Sequence, residues 1–152
     1  MQRPSRIICV GNRWSPGDAA GPAVYDHLTR QALPPGVEAV DGGLLGLSLL
    51  GLVEGASRVV FVDQVEGFRP EGGLVVLDDG ALLRPETPAY GHGDGLAYLV
   101  AAARAVLGES CPPMWLVGLE GAAGPESLRE AAEASLRLAT SQGVPPADRG
   151  RS

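Results

Sequence analysis

Short runs of continuously apolar residues recur along the chain, each separated from the next by a longer segment with helical spacing. Five runs have the length and composition of strands: Arg6–Val10, Val37–Val40, Arg58–Asp63, Leu74–Leu77 and Met114–Leu119. Strands that are apolar on both sides are typical of parallel sheets covered by helices on both faces. We therefore predict an α/β fold, a single three-layer domain with a mainly parallel twisted sheet of about five strands.

The segments between these runs carry apolar residues three or four positions apart, which predicts helices. The first helix starts near Pro22 and includes Val24, Leu28 and Ala32. The others are predicted at Leu44–Glu54, Leu96–Leu107 and Glu126–Ser141. We expect Asp41-Gly42-Gly43 to form a turn, Leu74–Leu77 an edge or hairpin strand, and Ala81–Gly95 an irregular loop. Residues 1–141 are expected to form one domain and 142–152 a disordered tail.

The charged residues exclude several classes of function. All twelve basic residues are arginine and the formal net charge is −6, so a nucleic-acid backbone would be repelled. Without lysine the chain has no P-loop and no Schiff-base chemistry. Neither cysteine lies in a CxxC motif, and no apolar stretch is long enough to span a membrane. We predict a cytoplasmic protein with neither a nucleic-acid nor a membrane partner.

Polar side chains at the ends of the predicted strands are the candidates for a site, because ligands of open α/β sheets bind beyond the carboxyl ends of the strands. Asp18 follows the first strand, Asp63 ends the third, and His92 precedes the helix at Leu96–Leu107. Two carboxylates and one imidazole could bind a metal ion and leave positions for a substrate or water.

Each of these residues also has an ordinary interpretation. Asp18 could cap the first helix, Asp41 could be a turn residue, and His92 could be a loop histidine. Asp63 is harder to explain in this way, because an aspartate that ends a strand as apolar as Val59–Val62 must be solvated, hydrogen-bonded or paired.

The joint order of these motifs resembles the NiFe-hydrogenase maturation endopeptidases. The resemblance rests on five segments: Gly11-Asn12 with Asp18–Gly21, Asp41-Gly42-Gly43 with Gly46, Asp63, His92 with Gly95-Leu96-Ala97, and Leu116-Val117-Gly118. It extends from about Ile7 to Leu138. The sequence HGDGLAYL is also similar to the subgroup that serves bidirectional, NAD-linked hydrogenases. The chain departs from the family pattern at Gly17, where an acidic residue is usual, and at Leu44, where a small hydroxyl residue is common.

The resemblance implies an aspartic-type endopeptidase that removes the C-terminal extension of a hydrogenase large-subunit precursor after nickel insertion. It implies that Asp18, Asp63 and His92 bind nickel, with Asp18 and Asp63 as catalytic residues. It also implies that Asp41, Gly42 and Gly43 recognise the substrate. Since the nickel arrives with the substrate, we expect the purified protein to be metal-poor and able to bind a substitute divalent ion, and we expect a monomer.

Two other functions are compatible with the residues. A non-catalytic α/β binding module could dock a small anion or a protein partner at the same strand ends. A nucleotide-binding α/β domain is the less favoured alternative, because the segment after the first strand does not match GxGxxG.

Overall fold

A computed structural model of the chain describes residues 3–44, 46–84 and 95–140. The strands within these ranges are Ser5–Val10 (β1), Val37–Gly43 (β2), Arg58–Gln64 (β3), Gly73–Asp78 (β4) and Met114–Glu120 (β5). The α-helices within them are Ala20–Thr29 (α1), Leu50–Glu54 (α2), Asp79–Leu82 (α3), Gly95–Leu107 (α4) and Pro125–Thr140 (α5). Short 3₁₀ turns lie at Pro16–Asp18, Leu47–Leu49 and Gly108–Ser110. None of the described helices has the length and apolar character needed to cross a bilayer.

The five strands form one sheet in the order β2-β1-β3-β5-β4. β2, β1, β3 and β5 are parallel, and β4 pairs with β5 in the antiparallel direction at the edge. The carboxyl ends of β1, β2, β3 and β5 therefore meet at one edge of the sheet, which we call the carboxyl edge. The predicted single α/β domain with a mainly parallel sheet and an edge strand at Leu74–Leu77 is confirmed.

Alternate residues of the central strands enter two cores, one on each face of the sheet. Ile8 and Phe61 pack on one face with the inner sides of α2, α3 and α4. Ile7 and Val62 pack on the other face with α1 and α5. Burial on both faces explains why these strands are apolar at consecutive positions.

Three local predictions were wrong in whole or in part. Asp41-Gly42-Gly43 is not a separate turn, because it continues β2 and pairs with the end of β1. Within the helix predicted at Leu44–Glu54, the described residues form only the 3₁₀ turn and the five residues of α2; Gly46, a poor helix former, lies in the part that is not α-helical. Of the loop predicted at Ala81–Gly95, Ala81 and Leu82 belong instead to α3, which the Asp78 carboxylate caps by accepting a hydrogen bond from the Ala81 N–H at 2.8 Å. Residues 85–94 of this loop lie outside the described residues.

Two glycines bring the start of α1 against the carboxyl edge. A Cβ atom at Gly21 would collide with the carbonyl oxygens of Val10 and Val62, so only glycine lets the helix lie this close to β1 and β3. Gly11 has a φ of +137°, and a Cβ there would collide with the carbonyl oxygen of Asp18. These close approaches place Asp18, which precedes α1, beside the ends of the two central strands.

Candidate active site

Asp63 is the penultimate residue of the central strand β3 and is only 4% exposed. One of its carboxylate oxygens accepts a hydrogen bond from the Gln64 N–H at 2.8 Å. Burial is the main reason that the pKa of Asp63 is raised to about 7; the Gln64 hydrogen bond opposes the rise, and the negative charge of Asp18 adds a smaller part of it. Asp18 and Asp63 therefore lie within electrostatic range of each other at the carboxyl edge.

Asp18 ends the 3₁₀ turn before α1 and is 6% exposed. Its carboxylate accepts a hydrogen bond from the Asn12 N–H at 3.0 Å, and its backbone carbonyl accepts from the same N–H at 2.9 Å. The Asp18 N–H donates to the Ser15 carbonyl at 2.8 Å. Asp18 does not cap α1, because Ala19 is the N-cap residue and makes no side-chain cap bond.

A pair of buried carboxylates is electrostatically costly unless a proton or a cation is shared between them. At neutral pH, the raised pKa of Asp63 means that this carboxyl still retains a proton for part of the time. The pair can therefore take up a proton or a hard to borderline metal ion at the carboxyl edge, and it can exchange one for the other.

Asp41, Gly42 and Gly43 lie at the end of β2, on the far side of β1 from Asp63. Cys9 pairs with Asp41 but Val10 pairs with Gly43, so Gly42 is the extra residue of a β-bulge. The Asp41 carboxylate accepts a hydrogen bond from the Gly43 N–H at 3.3 Å, and the Gly43 carbonyl accepts from the Gly11 N–H at 2.8 Å. Bulges of this kind often redirect side chains beside active sites.

The loop from Gly11 to Asp18 lies between the carboxylate pair and the residues Asp41, Gly42 and Gly43, which we call the DGG segment. Arg13 lies in this loop and forms ion pairs with Asp26 of α1 at 2.9 Å and with Asp41 at 3.1 Å. These two carboxylates raise the pKa of Arg13, with the hydrogen bond to Asp26 as the largest cause. The side chain of the next residue, Trp14, is exposed, with 86% of the residue accessible to solvent. Its backbone N–H donates a hydrogen bond to the Asn12 side-chain oxygen at 2.9 Å.

An open cleft of about 440 Å³ lies between this loop and the end of β2. Its walls are formed by Gly11–Trp14 and Pro22 on one side and by Asp41, Gly43 and Leu44 on the other. Leu44 is 67% exposed, so the rim offers two large apolar side chains beside a carboxylate. Asn12 belongs to the cleft wall and is hydrogen-bonded to Asp18, so the cleft adjoins the carboxylate pair.

The third predicted metal ligand, His92, lies outside the described residues, as do its neighbours from 85 to 94. Within the described ranges no group of three or more His, Cys, Asp or Glu side chains is arranged to hold a metal ion. Residue 95 begins α4, which packs with α2 in the core on the opposite face of the sheet from α1. The ligand set of Asp18, Asp63 and His92 thus stays a prediction.

Glu120, the last residue of β5, also lies at the carboxyl edge but is held differently. Its carboxylate accepts hydrogen bonds from the N–H groups of Gly67, Phe68 and Arg69 at 2.8, 2.9 and 2.6 Å. These bonds, the Arg69 bond first, lower the pKa of Glu120. We interpret Glu120 as a residue that fixes the loop between β3 and β4.

Arg13, Trp14 and Asp26 were not predicted from the sequence. Their spacing in the sequence does not indicate a site, because the contacts of Arg13 with Asp26 and Asp41 depend on how the loop after β1 packs beside α1 and β2. An arginine and a tryptophan side by side in a strand-end loop are the only cue, and such a pair is equally compatible with an ordinary solvent-exposed loop.

The fold and the strand-end site together define a class, an α/β protein with its candidate chemistry at the carboxyl edge of a mixed sheet. The sequence profile of the hydrogenase maturation protease family, HycI, matches residues 22–143. The chain belongs to this family and is a peptidase of hydrogenase maturation, as the resemblance implied. Membership in a peptidase family disfavours the alternative of a non-catalytic binding module.

Solved structures of related proteins have the same fold. The Escherichia coli hydrogenase maturating endopeptidase HybD has 24% identity and a TM-score of 0.62, with 87% of this chain and 86% of that chain covered. The Thermococcus kodakarensis maturation protease HycI has 24% identity and a TM-score of 0.65, with 90% of each chain covered. A hydrogenase 2 maturation peptidase from a Thaumarchaeota archaeon has 27% identity and a TM-score of 0.54, with 90% and 95% covered. A search of curated protein sequences found no match.

Proposed function

We propose that this protein is a nickel-dependent endopeptidase that removes the C-terminal extension of a hydrogenase large-subunit precursor once nickel has been inserted. The observation that carries the proposal is the buried pair Asp18 and Asp63 at the carboxyl edge of the sheet. The family supplies the reaction, and the pair supplies a place where a cation carried by the substrate would be favourable. The proposal keeps the predicted cytoplasmic location and monomeric state.

The carboxylate pair fits a metal that belongs to the substrate. Two carboxylates provide too few ligands for a closed protein site, so a bound ion would keep ligands from the client protein. In this proposal nickel is part of the substrate, and Asp18, Asp63 and His92 recognise it. Because the pKa of Asp63 is raised, its carboxyl carries a proton for part of the time at neutral pH, and a cation that binds the pair would displace that proton.

The cleft beside the pair is proposed to hold the client polypeptide. Trp14 and Leu44 offer apolar surface, and aromatic side chains are frequent anchors in protein recognition. Asp41 and Gly43 line the cleft on the same side as Leu44, across from Trp14, and Gly42 between them is the extra residue of the bulge. This arrangement would place the client's chain next to the ion that Asp18 and Asp63 recognise.

Peptide hydrolysis needs a water molecule to be deprotonated and a carbonyl oxygen to be polarised. Asp63 is the stronger candidate for the base, because a carboxyl with a pKa of about 7 both accepts and returns a proton near neutral pH. Asp18 keeps its carboxylate oriented through the Asn12 N–H and is proposed as the fixed partner of the pair. Nickel held by the client would add Lewis-acid polarisation.

The test is cleavage of the nickel-loaded large-subunit precursor, followed by mass spectrometry of the released peptide. We expect the wild-type protein to cleave it and to leave the nickel-free precursor uncut. Asp63→Asn and His92→Ala should each lower the rate by about 100-fold or more, since each removes a ligand or a base.

The chain offers a matched control for each variant. His27→Ala replaces the other histidine, on the half-buried outer part of α1, and Glu120→Gln replaces another carboxylate of the carboxyl edge. Both should cleave within about twofold of wild type, with unchanged circular dichroism. Cleavage by Asp63→Asn at the wild-type rate would overturn the assignment of the pair. Equal cleavage of nickel-loaded and nickel-free precursor would overturn the nickel dependence.

A further inference from the structure

We propose that Arg13 is a positioning residue for the DGG segment, holding the Asp41 carboxylate in the orientation used to recognise the client. This inference rests on the proposed function of the cleft. The observation that carries it is a chain of two ion pairs, in which one guanidinium lies between Asp26 of α1 and Asp41 at the end of β2.

The contacts differ on the two sides of the guanidinium. Both nitrogens of the fork contact Asp26, at 2.9 and 3.5 Å, so this side anchors Arg13 to α1. One of the same nitrogens contacts a single oxygen of Asp41 at 3.1 Å. The other oxygen of Asp41 accepts the hydrogen bond from the Gly43 N–H, so its carboxylate is fixed from two directions.

Arginine is suited to this bridge because its planar fork can satisfy two carboxylates at once. Asp26 and Asp41 would otherwise be two like charges beside one cleft, and Arg13 reduces their combined charge to −1. The bridge also joins the elements that form the two walls of the cleft, the loop after β1 and the end of β2. Arg13 therefore sets both the direction of Asp41 and the spacing of the walls.

Stability alone does not account for the bridge. The side chains of Arg13, Asp26 and Asp41 are 35%, 43% and 39% exposed, and ion pairs at this exposure contribute little to the free energy of folding. Arg129 on α5 provides the comparison within the same chain. It likewise lies between two carboxylates, Glu126 at 3.8 Å and Glu133 at 3.4 Å. Arg129 does not line the cleft, however.

The experiment measures KM and kcat for cleavage of the nickel-loaded precursor by Arg13→Ala, Arg13→Lys, Asp41→Asn and the double variant Arg13→Ala/Asp41→Asn. We expect Arg13→Ala to raise KM about fivefold or more with kcat within about twofold, because binding is impaired and the carboxylate pair is not. Arg13→Lys should recover part of the loss, since an ammonium can contact Asp41 but not bridge both carboxylates. The double variant should be no worse than Asp41→Asn alone, because Arg13 acts through Asp41.

Arg129→Ala is the matched control and should leave KM unchanged. A readout without substrate is the amide resonance of Gly43, which should move in Arg13→Ala and stay in place in Arg129→Ala, since the Gly43 N–H reports on Asp41. Wild-type KM in Arg13→Ala, additive losses in the double variant, or an unmoved Gly43 resonance would each overturn the inference. If the wild-type protein cleaves no precursor, the proposed function fails, and the Gly43 resonance still tests the position of Asp41.

Discussion

Two carboxylates at the carboxyl edge of the sheet, Asp63 and Glu120, lie at the ends of neighbouring strands but have opposite electrostatic surroundings. β3 and β5 are paired in parallel, and Asp63 stands opposite Gly118, two residues before Glu120. Asp63 is buried with one N–H donor, and its pKa is raised to about 7. Glu120 accepts from three N–H groups of the loop after β3, and its pKa is lowered.

The comparison shows that position at the edge of a sheet does not by itself make a carboxylate functional. The two residues differ in burial, which is the main cause of the raised pKa of Asp63, and in the number of N–H donors, which lower the pKa of Glu120. Glu120 is saturated with donors and has no need of a cation, so it stabilises a loop. Asp63 is desolvated with too few donors, and its charge is balanced only when a proton or a cation arrives.

The largest expected effect on stability is that of Asp63→Asn at alkaline pH. Between pH 3.8, the ordinary pKa of the carboxyl, and about 7, the unfolded chain releases the Asp63 proton while the folded chain keeps it. The free energy of unfolding therefore falls as pH rises through this window and stays low above it. Asparagine removes this penalty, so we expect a gain on the order of 2 kcal/mol at pH 8 and almost none at pH 4. Urea unfolding with a chelator present measures both values.

A variant with no gain in stability at pH 8 would contradict the interpretation of Asp63 as a desolvated carboxyl. If Asp63→Asn were equally stable to wild type at both pH values, the Asp63 carboxyl would be solvated in solution, and the base proposed for hydrolysis would lose its physical basis.

Glu120→Gln should have a smaller effect with the opposite sign. The variant loses the charge that the Gly67, Phe68 and Arg69 N–H groups bind, so Tm should fall by a few degrees at pH 7. Because the pKa of Glu120 is lowered from 4.5, its contribution is present above that pH and is lost as pH falls through its lower value in the folded state. Thermal unfolding from pH 7 to pH 3 should show the two proteins converging. A difference that grows toward acid would contradict the role assigned to Glu120.

The smallest expected effect is that of Asp18→Asn on the titration of Asp63. Burial is the main cause of the raised pKa of Asp63 and the charge of Asp18 a lesser one, so the pKa should fall only slightly in the variant. Carbon-13 NMR of the Asp63 carboxyl measures it directly. A fall to the ordinary value near 3.8 would show that repulsion between the two carboxylates, and not desolvation, controls the site.

The sheet could be predicted from the sequence because its strands are buried on both faces and read as short apolar runs. The predicted Arg58–Asp63 differs from β3 by a single residue. Prediction failed where backbone geometry overrides composition. The leucine-rich segment after Gly43 has helical spacing, but it contains Gly46, a poor helix former, and its described residues are α-helical only at Leu50–Glu54. The prediction of a turn at Asp41-Gly42-Gly43 was also wrong, because a β-bulge keeps these residues in β2.

The candidate site was only partly predictable. Asp63 was singled out because an acid ending an apolar strand needs a partner, and the structure places the Asp18 charge within electrostatic range of it. Arg13 and Trp14 were not found, because no motif marks them and because Arg13 meets Asp26 and Asp41 only once the loop after β1 has folded beside α1 and β2. The third ligand, His92, stays a prediction of the resemblance.

The placement of Gly21 has a consequence for biosynthesis. Its contact with the carbonyl oxygens of Val10 and Val62 can form only after β3 has left the ribosome and paired with β1. Asp18 and Asp63 therefore remain apart on the nascent chain, and the two acids meet only when the central sheet is assembled. If the pair has its proposed role, the partly synthesised chain has no active site.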